Sequence, residues 1–138
     1  MASFNKYQKG VEALVEGINA GSDTWKIALS NRTPVVASDT GLASAVEISA
    51  GNGYTAGGNA ATVSSSSQTG GTYKLVLNSP STWTATGGSI GPFEYAILYD
   101  ATTDNLIGYW DYGSAVTLSD GESFSVVLDG TSGVFTVA

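Results

Sequence analysis

The apolar positions change period along the chain, and each period predicts an element. From the amino end, Phe4, Tyr7, Val11, Leu14, Val15 and Ile18 follow one another at spacings of three, four, three, one and three, the repeat of a helix face. Asn5, Lys6, Gln8, Lys9, Glu12 and Glu16 fall on the opposite face, Ser3 is placed as the N-cap, and Asn19-Ala20-Gly21 supplies the stop. Residues 1–21 therefore read as an amphipathic helix. Gly10 weakens its middle by about 1 kcal/mol relative to alanine. A helix this short is marginal alone, so its apolar stripe is expected to dock on the sheet or on a neighbouring subunit.

Beyond residue 21 the period falls to two. Trp25–Leu29 alternates large apolar with smaller or polar residues and predicts a half-buried strand. Residues 31–58 are irregular: Pro34 interrupts them, Leu42–Ile48 suits a short helical turn, and Gly51-Asn52-Gly53 and Gly57-Gly58 mark loops. Ala60–Ser64 suits a short strand and Ser64–Gly71 a polar turn. Strands are then expected at Tyr73–Leu77, Ser81–Ala85, Phe93–Tyr99, Leu106–Tyr112, Glu122–Leu128 and Val134–Val137. Asp100–Asn105 and Asp129–Gly133 are read as hairpin loops, which makes neighbouring strands antiparallel.

The expected fold class is all-β, an antiparallel β-sandwich of jelly-roll type with one N-terminal amphipathic α-helix. It forms a single domain over residues 1–138: the helix over 1–21, the sandwich over 22–138, and the irregular loop region over 31–58. In Phe93–Tyr99 strict alternation puts Phe93, Tyr95, Ile97 and Tyr99 on one face and Glu94, Ala96 and Leu98 on the other. One face is expected to cover the core and the other to seat the helix.

Composition narrows the functional classes. Charged residues are 12% of the chain, about half the usual ~25%, so polar cover must come from Ser, Thr, Asn and Gly. The formal net charge of −7 repels phosphate backbones and anionic headgroups, so neither nucleic acid nor membrane is an expected partner. No apolar run approaches the ~18 residues of a membrane span, and residues 1–20 lack the apolar centre of a signal peptide, which predicts synthesis in the cytoplasm.

With no histidine and no cysteine, the commonest general base, metal ligand and thiol nucleophile are missing together. No Gly-x-Ser-x-Gly elbow and no phosphate-binding Gly-Lys-Ser/Thr occurs. Paired carboxylates remain as an acid–base route, with Glu94 and either Glu122 or Asp111 as a glycosidase pair, although strand carboxylates are more often solvated. Asp100, Asp104 and Asn105 share a loop that offers oxygen ligands to calcium, against the simpler reading of a turn capped by its own side chains. In Tyr109-Trp110-Asp111-Tyr112, alternation puts Trp110 and Tyr112 on the side of Leu106, toward the core, and leaves Tyr109 for the surface. Trp25 and Trp83 are expected in the core or in subunit contacts. No catalytic, cofactor or metal site is expected.

Several segments carry a resemblance when taken in order. They are the opening Phe4–Tyr7 with its helix, the Trp25–Asn31 strand, Glu47–Gly58, Gly91–Tyr99 and Leu106–Gly113. Together they resemble a family of small virion structural proteins of tailed bacteriophages, over nearly the whole chain. The resemblance implies a capsid decoration, or cement, protein bound outside the major-capsid lattice in the virion. It also implies a homo-oligomer, a dimer or trimer around a symmetry axis, with the major capsid protein or another virion protein as partner. It carries over no catalytic residue. A tail, baseplate or fibre-associated module with a structural or glycan-binding role is the alternative, and a carboxylate-based glycan hydrolase is the remote one. Partner contacts are expected in residues 31–58 and the N-terminal segment, at Tyr54, Asn52, Phe4 and Tyr7, with Tyr109 as a further surface candidate.

Overall fold

The computed structural model describes residues 3–138. The order of elements is β1 (Phe4–Lys6), α1 (Gln8–Glu16), β2 (Trp25–Ser30), α2 (Leu42–Ala45), β3 (Asn59–Ala60), β4 (Val63–Thr69), β5 (Thr72–Leu77), β6 (Trp83–Thr84), β7 (Ile90–Asp100), β8 (Asn105–Leu118), β9 (Ser123–Phe124) and β10 (Phe135–Val137). The fold is an all-β antiparallel sandwich with a small helix at its amino end. One sheet has the order β1-β8-β7-β2-β3, a second has β10-β5-β4, and β6 pairs with β9.

The core lies between the two larger sheets. Trp25, Ile27 and Leu29 of β2 and Ala96 and Leu98 of β7 meet Leu75 and Leu77 of β5, with Ile107 and Trp110 of β8 beside them. Burying each large side chain of this kind contributes about 1.5–3 kcal/mol. Trp25 and Trp83 are both core residues, as expected.

The amino end departs from the helical reading at its start. Phe4–Lys6 is a strand paired with Trp110–Gly108 of β8, and the helix begins at Gln8 with Tyr7, not Ser3, as its N-cap. The apolar stripe is divided as well: Tyr7 is fully buried and Leu14 and Ile18 reach the core, whereas Val11 and Val15 stand exposed. Gly10 is the buried residue of α1, seated against the carbonyl of Leu106, where any side chain would collide. The glycine that weakens the helix is thus what lets it approach β8.

Three register irregularities interrupt the long central hairpin, and two of them reset its alternation. Tyr99 pairs with Leu106 but Leu98 pairs with Gly108, so Ile107 is an extra residue. Leu106 therefore turns to the outer face with Tyr109, while Ile107 joins Trp110 in the core, the reverse of strict alternation. A second irregularity separates Phe93, in the main core, from Tyr95, Ile97 and Tyr99 on the outer face.

That outer face is covered, but not by the helix. Tyr7, Ala45 and Leu42 pack there on Ala28, Tyr95, Ile97, Tyr99 and Leu106, so the cover is the 31–58 region together with the residue that precedes α1. The Gln8 N–H donates to Val36 O, the Leu106 N–H to Thr40 O, and the Leu42 N–H to the Asp104 carboxylate at 3.0 Å.

Two further differences lie in polar segments. The serine run expected as a turn is strand β4, closed onto β5 by Gly70-Gly71, both at positive φ as a tight two-residue hairpin requires. The Asp129–Gly133 turn does not join a hairpin, because β9 pairs with β6 and β10 with β5. Of Glu122–Leu128, only Ser123–Phe124 is strand.

Candidate functional site

The five residues expected at a partner surface have different fates. Tyr54 is 3% exposed: its hydroxyl donates to Glu47 Oε2 at 2.6 Å and accepts from the Leu29 N–H at 3.1 Å. Glu47 also accepts from the Gly57 N–H at 2.8 Å. Burial first, and then the Glu47 carboxylate, push the Tyr54 phenol above its ordinary value, so it stays a donor. The glycines around it let the chain fold inward, with Gly53, Gly57 and Gly58 at positive φ. Tyr7 is also buried, its hydroxyl raised by burial and then by Asp39.

Phe4, Tyr109 and Asn52 remain accessible to different degrees. The half-buried Phe4 ring packs at a tilt against Trp110, at a centroid distance of 4.7 Å, and covers Gly108. Tyr109 is half-buried between Tyr7 and Tyr95, with ring centroids at 5.4 and 6.0 Å. Asn52 is exposed in the left-handed region, donates to Ser89 O at 3.0 Å, and lines a polar cleft of about 450 Å³ with Asn31, Arg32 and Ser49. These residues are not brought together: Phe4 is on the β1 edge, Tyr109 on the outer sheet face and Asn52 at the 51–54 turn.

The carboxylates are largely committed to backbone donors. Asp111 accepts from the Gly113 N–H at 2.7 Å and Glu122 from the Ser119 N–H at 2.7 Å. Glu94 and Asp111 both neighbour the Tyr95 hydroxyl, whereas Glu122 sits at the β6–β9 end of the molecule. In the 100–105 loop, Asp100 accepts from the Thr102 and Thr103 N–H groups at 2.9 and 3.1 Å, and Asp104 is taken by Leu42. That is the arrangement of a side-chain-capped turn. Among the described residues no group of three or more acidic side chains is placed to hold a metal ion.

The apolar surface lies elsewhere, between α1 and β10. A cleft of about 370 Å³ is lined there by Phe4, Val11, Leu14, Ile107, Phe135 and Val137. It adjoins a cleft of about 450 Å³ that shares Leu14, Phe135 and Val137 and continues to Ile18 and Tyr73. Phe4 is the only one of the five expected contact residues in it. The short apolar run Val134–Val137 read simply as a strand; nothing in its pattern told that one of its sides would be left open.

No protein-family model matches the chain, and comparison with curated proteins and with solved structures gives no significant match. Among the described residues no helix is long and apolar enough to cross a membrane.

Proposed function

We propose that this protein is a non-enzymatic structural component of a bacteriophage virion, a decoration protein held on the outside of the major-capsid lattice. The observation that carries the reading is the division of labour among its side chains. Glu47, Asp100, Asp104, Asp111 and Glu122 accept hydrogen bonds that hold turns and loops, while Val11 and Val137 are left exposed beside the cleft between α1 and β10. A module that works by contact needs that distribution; one that works by acid–base chemistry needs carboxylates free to act. The resemblance carried by Glu47–Gly58, Gly91–Tyr99 and Leu106–Gly113 supplies the virion setting, with a lattice subunit as partner and a dimer or trimer as assembly.

The test is the stoichiometry and position of the protein in purified particles, by quantitative mass spectrometry against the major capsid protein and by antibody labelling. A fixed ratio to the capsid subunit, with label over the whole shell, is expected. A few copies confined to the tail would transfer the protein to a tail, baseplate or fibre role. Its absence from particles, or glycan cleavage lost in Glu94→Gln, would overturn the proposal.

A further inference from the structure

The side of the sandwich between α1 and β10 combines three features. Its floor is apolar, made by Leu14, Ile107 and Phe135, and Val11 and Val137 stand 46% and 52% exposed at its margins. One wall is the edge of a strand: β10 pairs with β5 on one side and with no described strand on the other. Lys6, on edge strand β1, is the only charged side chain among the residues lining the two clefts, and the Ala138 carboxylate is the other charge there, in a chain of net charge −7.

We infer that this groove binds an extended segment of a partner polypeptide as an added strand on β10, its alternate apolar side chains turned between α1 and β10 and an acidic residue at the Lys6 end. The strand edge decides the kind of occupant. A helix or an acyl chain laid here would bury backbone N–H and C=O groups unpaired, at about 1–3 kcal/mol each, whereas an extended chain pairs them. The other edge of the same sheet shows what protection looks like: β4 presents the exposed polar run Ser64–Thr69 and has a bulge at Ser64. Strand β10 has one polar residue, Thr136, between Phe135 and Val137, and no bulge. Its three residues offer about 10 Å of ladder, so the paired part of the partner segment is short and the apolar side chains supply the rest of the contact. Charge sets the partner's sign at one end only: Lys6 would repel a basic residue there and attract an acidic one, whereas the Ala138 carboxylate in the same cleft disfavours a second acid.

The inference rests on the contact role proposed above and names the partner's chemistry. It is tested on the full chain with the capped peptide Asp-Val-Thr-Val-Thr-Val-Thr and its counterpart with lysine in place of the aspartate, by titration and by amide hydrogen exchange of Phe135–Val137. The acid-ended peptide is expected to slow exchange in β10 and to bind about fivefold more tightly than the lysine-ended one, the ratio given by about 1 kcal/mol for an exposed ion pair. Lys6→Glu should reverse that order, and Val137→Lys should abolish binding at an unchanged melting temperature. Should Val137→Lys fail to fold, Lys6→Glu still decides. No binding, unchanged exchange in β10, or equal binding of the two peptides by wild type and Lys6→Glu would overturn the inference. So would a concentration-dependent dimer that Val137→Lys dissociates, which would make a second copy the occupant. The two proposals fail separately: particles that contain the protein while the peptides do not bind leave the virion reading standing, and peptide binding by a protein absent from particles leaves the strand site standing.

Discussion

Gly10 rests on the carbonyl oxygen of Leu106, with no room between them for a Cβ. This contact seats α1 against β8 just where the edge strand β1 ends, and the Tyr7 N–H donates to the neighbouring Ile107 O at 3.0 Å. Alanine at position 10 would gain about 1 kcal/mol of helix propensity and lose more by pushing the helix off the strand, because the obstacle is backbone. Gly10→Ala is therefore expected to lower stability by about 1–3 kcal/mol, read as a lower urea midpoint. Gly17→Ala is the control, since a Cβ there meets nothing closer than Ala13 O at 4.0 Å. Equal stability of Gly10→Ala and wild type would mean that α1 is not seated on β8.

Tyr54 ties three segments together through one hydroxyl, accepting from Leu29 in β2 and donating to Glu47, which in turn holds Gly57. Tyr54→Phe keeps the ring in the core and removes only that oxygen. A buried N–H and a carboxylate then lose a partner, and a loss of about 1–3 kcal/mol is expected. A contact residue would behave in the opposite way, with stability unchanged and partner binding lost. Chemical denaturation alongside binding to purified shells separates the two, and unchanged stability would return Tyr54 to the surface.

Asp100 is fully buried, and its second carboxylate oxygen has no hydrogen-bond donor among the described residues; the carboxyl group that faces it belongs to Asp23. Two carboxylate oxygens are both acceptors, so this contact is favourable only with a proton between them. Burial, and then the hydrogen bond with Asp23, raise Asp100 from the ordinary 3.8 to about 6. A carboxyl raised on folding stabilises fully below its unfolded value and loses that contribution as the pH rises through its folded value. Stability is thus expected to fall between about pH 4 and pH 7. Asp100→Asn still accepts from Thr102 and Thr103 and can donate to Asp23, so it should match wild type at pH 4 and exceed it at pH 7.5. A shift of this size corresponds to at most about 3 kcal/mol, and the half-exposed Asp23 screens it to about 1–2 kcal/mol. A variant no more stable than wild type at pH 7.5 would refute the shared proton.

The fold was legible where period and punctuation agree. Trp25–Leu29, Tyr73–Leu77 and the hairpin around Asp100–Asn105 stand where alternation and turn residues place them. The errors have local causes. Alternation assumes an unbroken pleat, and the extra Ile107 inverts the faces of Leu106 and Ile107 without any mark in the residues themselves. Strand β4 is polar on both faces, so it carries no hydrophobic signal; the Gly70-Gly71 pair ahead of a good strand was the available clue. The contact surface was harder still. The period makes Val11 and Val15 part of a docked stripe, yet they are exposed on a helix whose approach to the sheet is set where Gly10 meets Leu106 of β8, far along the chain. Tyr54 is buried, because the glycines around it serve an inward turn as well as an exposed loop.

The ion pair between Arg32 and Asp39 fixes the start of the 31–58 cover. Arg32 reaches Asp39 through both guanidinium nitrogens, at 2.8 and 3.2 Å, and the Val35 N–H donates to the same carboxylate at 2.8 Å. Burial alone would raise Asp39; the Arg32 hydrogen bond, the Val35 N–H and the Arg32 charge outweigh it and hold the carboxyl below the usual range. A carboxyl lowered on folding stabilises above its unfolded value, and that contribution is lost as the pH falls through the folded value, the opposite sense to Asp100. Arg32→Met leaves a buried carboxylate with one donor, which favours its protonated form. The stability difference between wild type and Arg32→Met should therefore be largest near pH 7 and shrink toward pH 3. Denaturation curves at intervals between those limits measure it, and a difference constant over the whole range would show that the pair does not hold the loop by its charge.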